Sequence, residues 1–519
     1  MSRDVLKYPI GIQTFSKIIE EGYCYIDKTA LIYKLVKSGK YYFLSRPRRF
    51  GKSLLLSTIE AYFEGKKELF KGLAMEKLER EWESYPVMYL SLAGYRTSDK
   101  NLKALLDNRL FEFEERFGVV KRTDDIAERF RNVIRAASES SGKKVVILID
   151  EYDAPLVAHL DDDVNKDEVR DLLKSVYSNL KDMDRHINFA MLTGVSRFSR
   201  MTIFSGLNNL KDISLLPEWN EICGITESEL KENFQTGITK LAERMNTDFK
   251  GALSLLKENY DGYHFTEDSA DIYNPFSLLN ALDDSKIAPY WFQTATPTFL
   301  IKYLGRFNEP LSEIFTENVS GAALTDIETY RATPVALLFQ TGYLTIKDYD
   351  RRRNSYLLGI PNKEVEVGLF SELLATNIQT EKYRLDKRLW DIRDAFEAGN
   401  PDLALDIIRS LFKGIPGNVT ANHPEIFFEN NLYLLFRLIG IDARAEWWTS
   451  DGRIDILLKT SAFIYVMELK LDRSAEEALH QIDTKEYAIP WKYDGRKVFK
   501  IGINFLSSSR NIDTWKIDC

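Results

Sequence analysis

The chain of 519 residues is poor in the residues that build covalent or metal staples. Its 3 cysteines, Cys24, Cys223 and Cys519, are odd in number and far apart, which excludes a disulfide framework or a zinc knuckle. Its 5 histidines form no HxxxH or HExxH pair, so a histidine-based metal site is not expected. No uninterrupted apolar run of about 18 residues occurs, and the opening MSRDVLKYPIGI lacks an apolar core of signal-peptide length. The expectation is a cytoplasmic protein with no membrane partner. Low-complexity tracts are missing too, and 44% hydrophobic with 29% charged residues is the composition of a folded chain. A surplus of positive charge is also lacking. The formal net charge of -8 rules out a globally basic nucleic-acid coat, so any nucleic-acid groove must be local.

What is present is organised. Length alone suggests roughly three folded units. Tyr41 to Phe43 reads as a short aromatic strand running into SRPRRFGKS and then LLLSTIEAYFEG, whose apolar residues fall at helical spacing. Strand, loop and helix in that order are the setting of a phosphate-binding loop. In it Gly51 allows close backbone approach to a phosphate, Lys52 neutralises the β and γ oxygens, and Ser53 offers a hydroxyl to Mg2+. Where the usual loop has its first glycine stands Arg46. Downstream, the strand VVILID delivers Asp150 and Glu151 to its end. Asp150 is expected to hold Mg2+ through water, and Glu151 to orient or deprotonate the attacking water. A further strand from Asn188 ends near Thr193, placed to contact the γ-phosphate side. Arg48, Arg49, Arg197 and Arg200 are candidates to stabilise phosphate charge, and the sequence does not choose among them.

The segments YPIGIQTF, YIDKTALI, FLSRPRRFGKSLLLS, LIDEYDAPL, YDGYHF and LLFQTGYLTI resemble those of the AAA-ATPase-like family of bacterial and archaeal proteins. The resemblance spans roughly residues 8 to 290 and implies a P-loop ATPase in which the Arg-Pro-Arg-Arg loop is characteristic. It gives no chemical role for Asp261 or His264 of YDGYHF, whose default is packing in a lid. Past about Leu216 the pattern is helical, with a capping signal at Thr226 and Glu229. Thr333 to Val365 reads as helix, strand, polar turn and strand, similar to a winged helix. Its tip, Arg351, Arg352 and Arg353, is either a DNA contact or a solvated turn.

In the last part, Asp455 sits in GRIDILL and Glu468 and Lys470 in VMELK, on two strands of a hairpin. Alternation places Glu468 and Lys470 on one face, and Asp455 can complete a carboxylate pair for Mg2+, with Lys470 beside the water. The arrangement resembles the PD-(D/E)xK nuclease superfamily over about residues 418 to 510. That resemblance implies a further acid at Glu429 on the preceding helix and a glutamine at Gln481 on the following one, with Lys485 one turn later.

The fold class expected is α/β: a P-loop NTPase with a parallel sheet (1–216) and helical lid (217–295), a winged helix (296–365), a helical linker (366–412) and a restriction-endonuclease-like domain (413–519). The expected cofactors are ATP and Mg2+ and the expected partner is DNA, with homo-oligomerisation left open. The function read from this is ATP hydrolysis and metal-dependent cleavage of DNA under nucleotide control. One alternative is a nucleotide-dependent signalling or scaffold protein whose nuclease-like domain only binds nucleic acid or a partner. Another is a nuclease whose ATPase-like half binds ATP without hydrolysing it.

Overall fold

The computed structural model describes residues 7–95, 102–159, 163–197, 209–295, 300–301, 304, 309–316, 318–325, 334–380, 382–414, 424–449 and 452–519. The chain divides into two compact units, Met1–Trp291 with Asn318–Lys363, and Phe292–Glu317 with Glu364–Cys519. Among the described residues no helix is long and apolar enough to cross a membrane.

The first unit is built on β1 (Tyr41–Ser45), β2 (Val87–Ser91), β3 (Val145–Asp150), β4 (Ile187–Gly194) and β5 (Lys211–Asp212). All neighbours pair in parallel, in the order β2-β3-β4-β1-β5. Every residue of β1 and β3 is buried, as required of strands covered on both faces. The strand β4 lies between β1 and β3, so the loop after β1, the acids ending β3 and Thr193 ending β4 meet at the carboxyl edge of the sheet. Beyond the sheet, Thr226 and Glu229 form the capping box that opens the helix Glu227–Asn233. That helix joins Gln235–Arg244, Phe249–Tyr260 and Pro275–Asp284 around a core of their own.

A small antiparallel sheet follows, β6 (Asn318–Ser320), β7 (Thr345–Asp350) and β8 (Ser355–Gly359), in the order β6-β8-β7. Its turn is closed by the Asp350 carboxylate, which accepts the Arg352 and Arg353 amides at 2.8 and 3.1 Å. At the tip Arg351 pairs with Asp268.

The second unit carries β9 (Asp442–Thr449), β10 (Gly452–Lys459), β11 (Phe463–Leu471), β12 (Lys497–Leu506) and β13 (Asn511–Asp518), in the order β13-β12-β11-β10-β9. Only β11 and β12 run parallel. The expected linker helices belong to this unit: the Tyr465 hydroxyl donates to the Phe396 carbonyl at 2.5 Å, and Asn511 donates to that of Arg409 at 2.9 Å. Residues 309–311 join it as well, because Asn430 accepts the Leu311 amide at 2.7 Å and donates to the Glu309 carbonyl at 3.1 Å. The helix Ala475–Thr484 lies against β12 at Gly502, where a Cβ would stand 2.2 Å from the Ala475 carbonyl and 2.6 Å from the Leu479 amide. Gly502→Ala therefore has to push a helix backbone away and is expected to cost about 1 to 3 kcal/mol. A lowered unfolding midpoint in urea checks this; an unchanged one would mean that the helix yields freely.

Candidate functional sites

The phosphate loop joins β1 to the helix Lys52–Phe63. Gly51 adopts φ 92°, the left-handed region open to glycine, and leaves the first amides of the helix facing outward without intrahelical partners. Lys52 is buried, and its Nζ donates to the carbonyls of Arg46 and Pro47 at 2.9 and 3.0 Å. Burial lowers its pKa, against the opposing pull of Glu151, Asp150 and Asp153. The Ser53 hydroxyl donates to Asp150 Oδ2 at 2.6 Å, and Thr193 donates to Asp150 Oδ1 at 2.7 Å. Tyr89 on β2, a residue the sequence reading missed, adds its hydroxyl to Asp150 Oδ2 at 3.2 Å. Glu151 has φ 51° and is half-buried, with its carboxyl pushed up by burial. Hydroxyl and carboxylate are hard oxygen ligands, so Ser53 and Asp150 fit Mg2+.

Arg46 explains the missing first glycine. It is fully buried and donates to the carbonyls of Ser45, Ser214 and Trp219, and its guanidinium lies 4.2 Å from the centre of the Phe265 ring. This arginine ties the loop to the body of the unit and is not available to phosphate. Arg48 and Arg49 are exposed, the latter over the Phe276 ring at 4.9 Å. Arg197 is committed to an ion pair with Asp212, and Arg200 lies outside the described residues.

Two motifs without an assigned chemistry brace the loop. From YDGYHF, Tyr263 and Phe265 pack on Phe50 at 4.8 and 5.5 Å between ring centres. From LLFQTGYLTI, Gly342 has φ 88° and faces Pro47, whose Cβ lies 2.7 Å from where a side chain would begin. The same motif pairs with YDGYHF, since the Ile346 amide donates to the His264 carbonyl at 3.3 Å. Asp153 of LIDEYDAPL was also missed: buried, it accepts the Val195 and Ser196 amides at 3.1 and 2.6 Å and so fixes the end of β4. The third acid of the DEYD run was its signal.

In the second unit β10 and β11 pair from Lys459↔Ile464 to Ile456↔Met467. One step further the ladder ends, at Asp455 across from Glu468. Asp455 Oδ2 there accepts the Leu469 amide at 2.8 Å, which the parting strands leave over. Lys470 Nζ donates to Glu468 Oε1 at 2.9 Å, and Glu468 Oε2 is buried with no hydrogen-bond partner. An orphaned carboxylate oxygen beside a second carboxylate fits a hard divalent cation. Among the described residues no three His, Cys, Asp or Glu side chains gather around one point, so phosphate and water oxygens would complete such a shell.

Burial, then the charge of Asp455, pushes the Glu468 carboxyl from 4.5 up to about 7, while burial raises Asp455. The pair therefore holds a proton where ordinary carboxylates have lost theirs. Between 4.5 and about 7 the folded site retains a proton that the unfolded chain has released, so this group's contribution to stability falls as pH rises through that window. A bound cation displaces the proton. Mg2+ is accordingly expected to raise the Tm more at pH 8 than at pH 6, checked by thermal unfolding with and without the metal; an equal shift at both would contradict it.

The other expected residues fall as follows. Glu429 is half-buried on the helix Pro424–Leu438, and the exposed Glu425, one turn earlier, adds its charge to those that act on Asp455. Gln481 is half-buried and Lys485 exposed at the end of the helix Ala475–Thr484. That helix is on the Glu468 face, because Glu468 pairs with Gly502, against which the helix is pressed.

Comparison with known proteins agrees with this division. The family described as "Predicted AAA-ATPase" matches residues 9–204. A protein of Azotobacter chroococcum mcd 1 described as "Uncharacterized protein in vnfD 5'region" is 34% identical over 519 residues, covering 98% of each chain. The chain belongs to the AAA-ATPase-like family. Like any α/β protein of this kind it keeps its phosphate loop at the sheet edge, and here it also carries a PD-(D/E)XK nuclease superfamily domain, matched over residues 423–515. Domains of these two kinds generally work with a nucleotide and with a divalent metal.

Proposed function

We propose that this AAA-ATPase-like protein hydrolyses ATP and cleaves DNA phosphodiesters in a metal-dependent reaction, with nucleotide occupancy of the first unit controlling the second. The observation that carries the reading is the parted end of the β10–β11 ladder, where Asp455, Glu468 and Lys470 are kept together with one carboxylate oxygen unpartnered.

At the phosphate loop Lys52 exchanges two loop carbonyls for phosphate oxygens, which needs no new burial of its charge. Ser53 and Asp150 hold Mg2+, and Glu151 holds the attacking water, whose proton it accepts. Thr193 fixes the Asp150 carboxylate. In the second unit Asp455 and Glu468 hold Mg2+ or Mn2+, with Glu429 on the preceding helix as the further acid. The metal supplies Lewis acidity to the scissile phosphate when bound. Lys470 orients the attacking water and balances the charge that develops on the phosphate. Gln481, Lys485 and Arg352 are the proposed contacts to the DNA backbone; Arg351 and Arg353 each have a carboxylate partner to leave first.

Control by nucleotide is supported by covalent continuity. The loop residue Pro47 lies where a side chain on Gly342 would begin, and from Gly342 the chain runs through β7 and β8 into the helix Lys363–Ile378, whose first residue ends the first unit and whose remainder belongs to the second. The test is to follow phosphate release from ATP and cleavage of linear, nicked and single-stranded DNA in one reaction, with Mg2+ or with a chelator. Both activities present with Mg2+ and absent without it support the proposal. Hydrolysis without any cleavage would leave the scaffold reading.

A further inference from the structure

Lys52 holds the carbonyls of Arg46 and Pro47, but the next carbonyl along, that of Arg48, is held by a residue far down the chain: the Trp291 indole N–H donates to it at 3.0 Å. Trp291 is buried and is itself fixed. Its amide donates to the Ser277 hydroxyl at 3.2 Å, and its ring lies 5.3 Å from that of Tyr343 between centres. Tyr343 belongs to LLFQTGYLTI. Ser277 lies on the helix Pro275–Asp284, whose Phe276 ring carries the Arg49 guanidinium.

The peptide pinned in this way is a strained one. Arg49 has φ 69°, in the left-handed region that disfavours any residue with a Cβ. Turning the Arg48–Arg49 peptide over would bring Arg49 to negative φ and take the Arg48 carbonyl away from Trp291. The indole N–H therefore selects one of two settings of the loop. When phosphate draws Lys52 from its two carbonyls, the bond to Trp291 is the side-chain hold left on this stretch of backbone.

Trp291 also ends the first unit. The next residue, Phe292, belongs to the second, where its ring covers Gly368 so closely that a Cβ there would stand 2.4 Å from it. Gly368 lies on the helix Lys363–Ile378, the helix the chain enters when it leaves the first unit again after β8. Both passages from the first unit to the second thus lead to one helix.

We propose that Trp291 is a positioning residue that sets the Arg48–Arg49 peptide of the phosphate loop and passes the loop's occupancy to the helix Lys363–Ile378. Coupling needs an element with two discrete settings that both ends bias, and the pinned peptide is that element. The inference rests on the nucleotide control proposed above and names the residue that carries it.

The test is hydrogen–deuterium exchange of the full chain, read by mass spectrometry with and without ATP and Mg2+, in the unaltered protein and Trp291→Phe. The variant keeps an aromatic ring and removes the N–H donor. ATP is held at saturation for each protein, so a change in affinity does not enter. Peptides covering residues 45–53 report occupancy of the loop, and peptides covering Lys363–Ile378 report the helix. In the unaltered protein ATP is expected to slow exchange in the loop and to change it in the helix by about 3- to 10-fold, the scale of one buried hydrogen bond. In Trp291→Phe the loop should still respond, while the helix response should fall below about 2-fold. A merely structural role would raise exchange equally with and without ATP and leave the helix response intact. A helix response of equal size in both proteins would therefore overturn the assignment. So would an unresponsive helix in the unaltered protein when its loop responds, a result that needs no variant. A loop that does not respond in the unaltered protein would overturn the nucleotide reading itself, and this inference with it.

Discussion

Replacing Lys470 by Ala is expected to lower Mg2+-dependent DNA cleavage about 100- to 1000-fold, the usual loss when a fixed positive group next to the reacting phosphate is removed. Lys470 is held in place by its 2.9 Å contact to Glu468 Oε1, and its side chain is only 15% exposed, so little water screens it. Its loss acts twice. The water and the charged phosphate lose their partner, and Glu468 loses the cation that opposes its protonation. The remaining activity of Lys470→Ala should therefore rise to higher pH than that of the unaltered protein, while phosphate release from ATP is unaffected. Cleavage at full rate in this variant would remove the second unit's assignment.

Glu151→Gln is expected to lower ATP hydrolysis about 100- to 10,000-fold, the range for loss of a positioned general base, with ATP binding retained. The substitution keeps the shape of a half-buried side chain at φ 51° and changes only its capacity to take a proton. Burial already holds that carboxyl above the ordinary range, which suits a group that must accept a proton near neutrality. Its neighbours cannot replace it. Asp150 is surrounded by Ser53, Thr193 and Tyr89, and Asp153 is spent on the amides of Val195 and Ser196. Phosphate release in single-turnover conditions, paired with a nucleotide-binding titration, checks the expectation. Hydrolysis within about 2-fold of the unaltered rate would reassign the base.

Much of this architecture can be read from local pattern. The strand before GKS, the strand ending in Asp150 and the helix after each follow from periodicity, because a covered parallel strand is apolar throughout and its helix is apolar every third or fourth residue. The capping box at Thr226 is equally local. The charged stretch after β2 forms two helices, Leu102–Phe117 and Ile126–Ser141, the second capped by Asp125. The strand β13 escapes the pattern because it is an edge strand with several exposed polar residues, where burial imposes no alternation.

Long-range facts are not written in local pattern at all. Nothing near Arg46 shows that its guanidinium will be buried against Phe265, more than two hundred residues away. Nor does the helix Pro424–Leu438 reveal from its sequence that the charge of Glu425 reaches Asp455. The candidate residues Asp455, Glu468 and Lys470 were legible because alternation along a hairpin fixes which side chains share a face. The parting of the strands that leaves one Glu468 oxygen unpartnered was not, since it depends on where the ladder stops.

The most direct test of the account is the rate of DNA cleavage by the intact protein in Mg2+, with and without ATP, in the unaltered chain, Lys470→Ala and Lys52→Ala. The account predicts cleavage that is lost in Lys470→Ala and that responds to ATP only while Lys52 is present. Cleavage indifferent to ATP in the unaltered chain and in Lys52→Ala alike would contradict nucleotide control. Its absence under every condition would contradict the nuclease itself.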